Sequence, residues 1–118
     1  MKILLAREEV NPDQPDHWGR TPLSSAASSG RVGVVEMLLE REEVNPDSSA
    51  VWGRTPLSYA ASYGSEGVVK TLLGREGVMP NKPDRWGTTP LMYAAMGGHE
   101  KVIALLRPHG EMIIPSIT

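Results

Sequence analysis

Few residues of this 118-residue chain could take part in chemistry, and most of them lack the partners that chemistry needs. His99-Glu100 begins an HExxH pattern, in which two histidines one helical turn apart bind zinc and the glutamate activates water. The position four residues beyond His99 is Ile103, so the second ligand is missing. His99 is expected to open a helix instead. His17 and His109 have no Cys or His at ligand spacing. With no cysteine in the chain there is no thiol nucleophile and no disulfide frame. Serines are plentiful, yet none stands in the GxSxG elbow that exposes a nucleophile at a strand-to-helix turn. No glycines fall at the GxGxxG or Walker spacing that cradles phosphate. What remains is the chemistry of recognition. Trp18, Trp52 and Trp86 lie close to Arg20, Arg54 and Arg85, and Trp, Tyr and Arg are the side chains that dominate binding hot spots.

The tryptophans recur at intervals of 34 residues without slippage, in WGRTPLS, WGRTPLS and WGTTPLM. The period extends further: REEVNPD stands at 7–13 and again at 41–47, and REGVMPN at 75–81. Ile3-Leu4-Leu5 lies one period before Met37-Leu38-Leu39, so the chain opens inside a repeat and reads as a piece of a longer, multidomain protein. Within each unit, Thr21-Pro22 and its copies Thr55-Pro56 and Thr89-Pro90 pair an N-cap oxygen with a proline suited to the first helical position. That role explains the Thr-Pro pairs better than proline-directed phosphorylation does. Leu23, Ala26 and Ala27 then form one apolar stripe, and Gly30 ends the short helix. A second helix follows, with Val34, Val35, Leu38 and Leu39 on one face, repeated as Val68, Val69, Leu72, Leu73 and as Val102, Ile103, Leu105, Leu106. Gly33 and Gly67 fall inside it and soften it, at about 1 kcal/mol each relative to alanine. Arg41 and Arg75 are placed to meet its C-terminal carbonyls. Stretches such as VNPDSSAVWG carry turn formers and lead out as a loop or hairpin. Two short helices cannot bury their stripes alone, so the units must stack into an all-α solenoid with one continuous core.

Three registered copies of TPL, paired alanines, Gly, VV, LL and V-N resemble the ankyrin repeat, and look most like the arrays of large fungal proteins. The resemblance implies an ankyrin-repeat solenoid of antiparallel helix pairs with projecting hairpin or loop fingers. It divides the chain into a partial repeat at 1–15, repeats at 16–49, 50–83 and 84–110, and a tail at 111–118. In the tail, Ile113, Ile114 and Ile117 leave the pattern, either as a lid on the last helix or as an unstructured end. Several features depart from the family. The period exceeds the usual value of about 33 residues because the finger is longer, and the Gly that normally follows the second helix is missing. The histidine after Thr-Pro-Leu is replaced by Ser24, Ser58 and Met92, and the Asp before Trp-Gly, kept as Asp16 and Asp84, is Ala50 in between.

The resemblance further implies a non-catalytic protein–protein interaction module, with no metal, cofactor or small-molecule substrate, gripping a protein through the fingers and the exposed face of each first helix. Those positions are His17, Trp18, Arg20 and Ser29 in one repeat, Val51, Trp52, Arg54 and Tyr63 in the next, and Arg85, Trp86, Thr88 and Met96 in the last. Helices stacked about 8–10 Å apart would space the tryptophans as a ladder. Each Trp either binds a partner or braces its own finger, and the sequence leaves both readings open. A single-stranded nucleic acid could stack on such a ladder, but loop aspartates and a net charge of −2 argue against it. The array could also be an accessory to an enzyme or signalling domain outside this chain. No apolar run is long enough to span a bilayer, and MKILLAREEV is not a signal peptide. An intracellular setting, cytoplasmic or nuclear, is expected.

Overall fold

A computed structural model describes residues 20–42, 44–49 and 51–109. The half-repeat expected at 1–15 and the tail at 111–118 lie outside the described residues, as do His17 and Trp18. Six α-helices follow one another as three pairs: α1 (Pro22–Ser28) and α2 (Val32–Leu39), α3 (Pro56–Tyr63) and α4 (Glu66–Leu73), α5 (Pro90–Gly97) and α6 (Glu100–Leu106). Short 3-10 turns occupy Val51–Gly53 and Arg107–His109. Among the described residues there is no strand, so the two fingers they include are loops and the hairpin alternative is not met there.

The start and stop of each first helix follow from its sequence. Thr21, Thr55 and Thr89 hold extended backbone and accept a hydrogen bond from the amide of Ser24, Ser58 and Met92, satisfying a donor that the helix leaves open. At the other end Gly30, Gly64 and Gly98 adopt left-handed φ of 71°, 71° and 69°. The next amide closes back over them, from Arg31 to Ala26, Ser65 to Ala60 and His99 to Ala94. His99 is the N-cap residue of α6, the helix-opening role expected of it.

The helices form two rows. α1, α3 and α5 pack side by side in one, and α2, α4 and α6 in the other. Ala26, Ala27, Ala60, Ala61 and Ala94 are buried between first helices, where their small side chains permit close approach. Leu23, Leu57 and Leu91 fill the space toward the second row, which contributes Val35, Leu38, Val68, Val69, Leu72, Val102 and Leu106. Val34 departs from this pattern: it is 37% exposed, whereas its equivalents Val68 and Val102 are buried. Ser24 and Ser58, standing where the family has histidine, are buried and pair their hydroxyls with the capping threonines at 3.1 Å.

Two expectations change. Arg75 stands at the end of its own helix, with its amide on the Leu72 carbonyl, but its side chain reaches further: Nη1 donates to the carbonyl of Leu39, at the end of α2 in the preceding repeat, and so ties neighbouring units. In the second repeat glycine does follow the second helix, as the cap Gly74 and as Gly77 at φ 92°.

Gly33 and Gly67 are the second residues of their helices, in the first turn, where propensity counts for less than in an interior. A methyl at Gly67 would lie 2.9 Å from Val32 Cγ2, while at Gly33 it would meet nothing within 4 Å. Gly67 therefore permits α2 and α4 to approach. Gly33→Ala is expected to raise unfolding free energy by a few tenths to about 1 kcal/mol, whereas Gly67→Ala gives no gain. Urea denaturation of both variants checks this, and equal gains would show that the α2–α4 contact is not tight.

Candidate functional site

The finger between α4 and α5 is built around one carboxylate. Asp84 is buried, and its Oδ1 accepts hydrogen bonds from the amides of Trp86 and Thr88, both at 2.9 Å. Its own amide donates to the Thr88 carbonyl at 3.0 Å. The chain is thereby folded into a tight turn that projects Arg85 and Trp86 outward. The other carboxylate oxygen, Oδ2, accepts from the Tyr93 hydroxyl, which rises from the first turn of α5. Burial alone would raise the Asp84 carboxyl, but the bonds from Tyr93, Thr88 and Trp86, with Arg54 nearby, outweigh it and hold the group below its ordinary value.

Arg54 connects this finger to the previous one. Its Nε donates to the Tyr93 hydroxyl at 3.1 Å, and its guanidinium lies 5.4 Å from the Tyr93 ring centroid and 5.5 Å from that of Trp52. At that range a delocalised cation is attracted by both ring faces. Burial raises the Tyr93 hydroxyl and the Asp84 contact adds to this, against the pull of Arg54. Tyr59 is raised by burial too, with Arg54 and Arg20 opposing. Arg54 therefore acts on both tyrosines, Tyr59 of its own repeat and Tyr93 of the next.

The two described tryptophans touch. Trp52 and Trp86 have ring centroids 5.7 Å apart at an interplanar angle of 53°, closer than the 8–10 Å ladder expected from helix spacing. The fingers lean toward each other: the Arg85 amide donates to the Trp52 carbonyl at 2.8 Å, and a methyl at Gly53 would stand only 3.2 Å from that nitrogen. Both indoles nevertheless remain open, Trp52 at 46% and Trp86 at 62% exposure. Trp52 also holds a left-handed backbone, φ 64° and ψ 21°, alone among the described non-glycine residues. That conformation costs an ordinary side chain about 1–2 kcal/mol. Bracing and exposure therefore coexist in the same residues.

Of the positions implied by the resemblance, Trp52, Arg54, Tyr63 and Trp86 come together, with Arg85 joined through its amide. A pit of about 30 Å³, room for a water molecule, is lined by Arg54, Ser58, Tyr59, Ser62, Tyr63 and Tyr93 and carries the cluster from the fingers onto α3 and α5. Thr88 is part of the turn itself, through both backbone groups. Met96 is 70% exposed, three residues beyond Tyr93 on α5, and Ser29 is exposed at the end of α1. Tyr59 and Tyr93 were not among the expected positions. Tyr93 has a signal in the register: Arg54 stands 39 residues before it, and arginine in one repeat meets tyrosine in the next.

A family model described as Ankyrin repeats (3 copies) matches residues 1–84, and a second, described as Ankyrin repeat, matches residues 86–114. The chain belongs to the ankyrin repeat family. Ankyrin repeats are generally protein–protein interaction modules and typically carry no catalytic centre. No curated protein matches this ankyrin chain. Among its described residues, no helix is long and apolar enough to cross a membrane.

Proposed function

We propose that this ankyrin array is a non-catalytic binding module that grips a protein through the aromatic face formed by its fingers and first helices. The supporting observation is the Trp52–Trp86 pair. Each ring braces the other, yet about half of each indole faces solvent, and Trp52 is held there by a backbone that glycine would adopt without strain. A backbone strained to display a large apolar side chain is a feature of functional sites. Arg54 stacked beside the pair, and Tyr63 at 64% exposure, extend the surface with side chains that bury much area for little lost freedom.

Trp52→Gly separates binding from folding, because it removes the ring and at the same time relieves the left-handed strain. Unfolding free energy is expected to change by no more than about 1 kcal/mol, since lost packing and lost strain offset each other. A photo-crosslinking residue at Tyr63 should capture polypeptides from cell extract, capture by the same residue at Glu100 on α6 should be weak, and Trp52→Gly should reduce capture at Tyr63 by at least tenfold. Equal capture from both positions, untouched by Trp52→Gly, would place recognition elsewhere.

A further inference from the structure

Charge is sorted between the two rows of helices. α1, α3 and α5 contain no Asp, Glu, Lys or Arg. Among the described residues every exposed acid, from Glu36 to Glu100, lies on a second helix or in the turn that follows it. The only described acids in the parts of the fingers that approach the first helices, Asp47 and Asp84, are both 6% exposed. Asp47 is spent on the next finger, with Oδ2 accepting from the Met79 amide at 2.7 Å. The aromatic face is bordered instead by Arg54 and the exposed Arg85, with Arg20 one repeat before Arg54. Although the chain carries a net charge of −2, its described residues turn a locally cationic, aromatic surface toward one side.

From this sorting we infer that the partner is an acidic peptide segment, with Asp or Glu side chains next to apolar or aromatic residues. The inference rests on the binding face proposed above and adds the partner's chemistry. Carboxylates would meet Arg85 and the outer edge of Arg54, while a neighbouring apolar side chain packs on the exposed faces of Trp52 and Trp86. Charge complementarity of this kind guides encounter and selects against basic partners. A nucleic acid fits less well, because neutralising a phosphate backbone takes a longer row of cations than Arg20, Arg54 and Arg85 provide.

Selection of random dodecapeptides on the full chain, counter-selected on Trp52→Gly, tests this directly. The expected result is a Trp52-dependent set enriched in Asp and Glu beside aromatic or aliphatic residues. For a selected peptide, Arg85→Glu, a change at an exposed side chain, should weaken affinity about fivefold or more at 50 mM salt, with the difference fading at 0.5 M as screening shortens the reach of charge. Trp52-dependent peptides without acidic enrichment would overturn the acidic partner and leave the binding face standing. A selection that yields no Trp52-dependent peptide would sink both. Oligo(dT) bound more tightly than any selected peptide would assign the face to nucleic acid, and a concentration-dependent dimer lost in Trp52→Gly would assign it to a second copy of the chain. Either overturns the inference.

Discussion

Asp84→Ala is expected to lower the unfolding free energy by about 2–4 kcal/mol, among the largest effects of any single substitution in the array. One carboxylate satisfies the amides of Trp86 and Thr88 and the hydroxyl of Tyr93. Hydrogen bonds to a charged acceptor contribute roughly 1.5–3 kcal/mol each, and a partly buried donor left alone costs about 1–3 kcal/mol. The finger can open and hydrate its amides, which keeps the total below the sum. Asp84→Asn, which keeps an acceptor for the amides but gives up the charge, should cost about half as much. The pH dependence has a definite sign. Because the folded state holds Asp84 below its ordinary value of 3.8, its stabilisation is complete above that value and is lost as pH falls through the folded pKa.

Asp47 should behave in the opposite way. Burial raises it, against the Met79 amide and the Lys82 charge, and its Oδ1 is buried with no hydrogen-bond partner. Its contribution is most favourable below 3.8 and is lost as pH rises through the folded pKa. Asp47→Asn should therefore leave stability at pH 7 unchanged or higher, while Asp84→Asn lowers it. Urea denaturation of both variants at pH 7 and pH 3 makes the comparison. A loss at pH 7 of the same size in both would show that the two carboxylates do not differ as their surroundings require.

The parts of this fold that were legible in the sequence are those decided by neighbours along the chain. Thr-Pro caps, alanine pairs and glycine stops are local devices, and their recurrence at 34 residues makes each copy support the others. The two-row packing follows from them, because the apolar stripes have nowhere else to go. The lean of the fingers is another matter. Periodicity identifies Trp52 and Trp86 as equivalent, but their separation depends on how far each loop tilts, and that is set by the Asp84 turn and the Arg85–Trp52 backbone bond. Arg75 shows the same limit: its position at a helix end is local, whereas the carbonyl it meets, that of Leu39, belongs to the preceding unit. The candidate site was half legible. Exposed aromatic and arginine positions came from the resemblance, while the half-buried Tyr93 that holds Arg54 is a contact between repeats.

Gly64→Ala is the second large change, expected to cost about 2–5 kcal/mol, and its matched control is already in the chain. Gly64 and Gly98 stop equivalent helices at nearly the same left-handed φ, 71° and 69°, so alanine at either should incur the same backbone strain of about 1–2 kcal/mol. Their surroundings differ. A methyl at Gly98 would meet nothing within 4 Å, whereas at Gly64 it would lie 2.5 Å from His99 Nδ1 and 2.8 Å from Cε1. The imidazole is wedged between Gly64 and Gly97, where its Nε2 is 3.0 Å from the Ser62 carbonyl, and it joins the third repeat to the second. Alanine at Gly64 must push that ring out, adding roughly 1–3 kcal/mol of overpacking to the strain. Thermal unfolding of the two variants should therefore separate them, with Gly98→Ala the milder. In a Gly64→Ala background, His99→Ala should cost less than it does alone, since the ring it removes is the one that clashes; a double-mutant cycle reads this as a coupling of the corresponding sign. Equal melting points for the two alanine variants would mean that the second and third repeats are held together without the histidine.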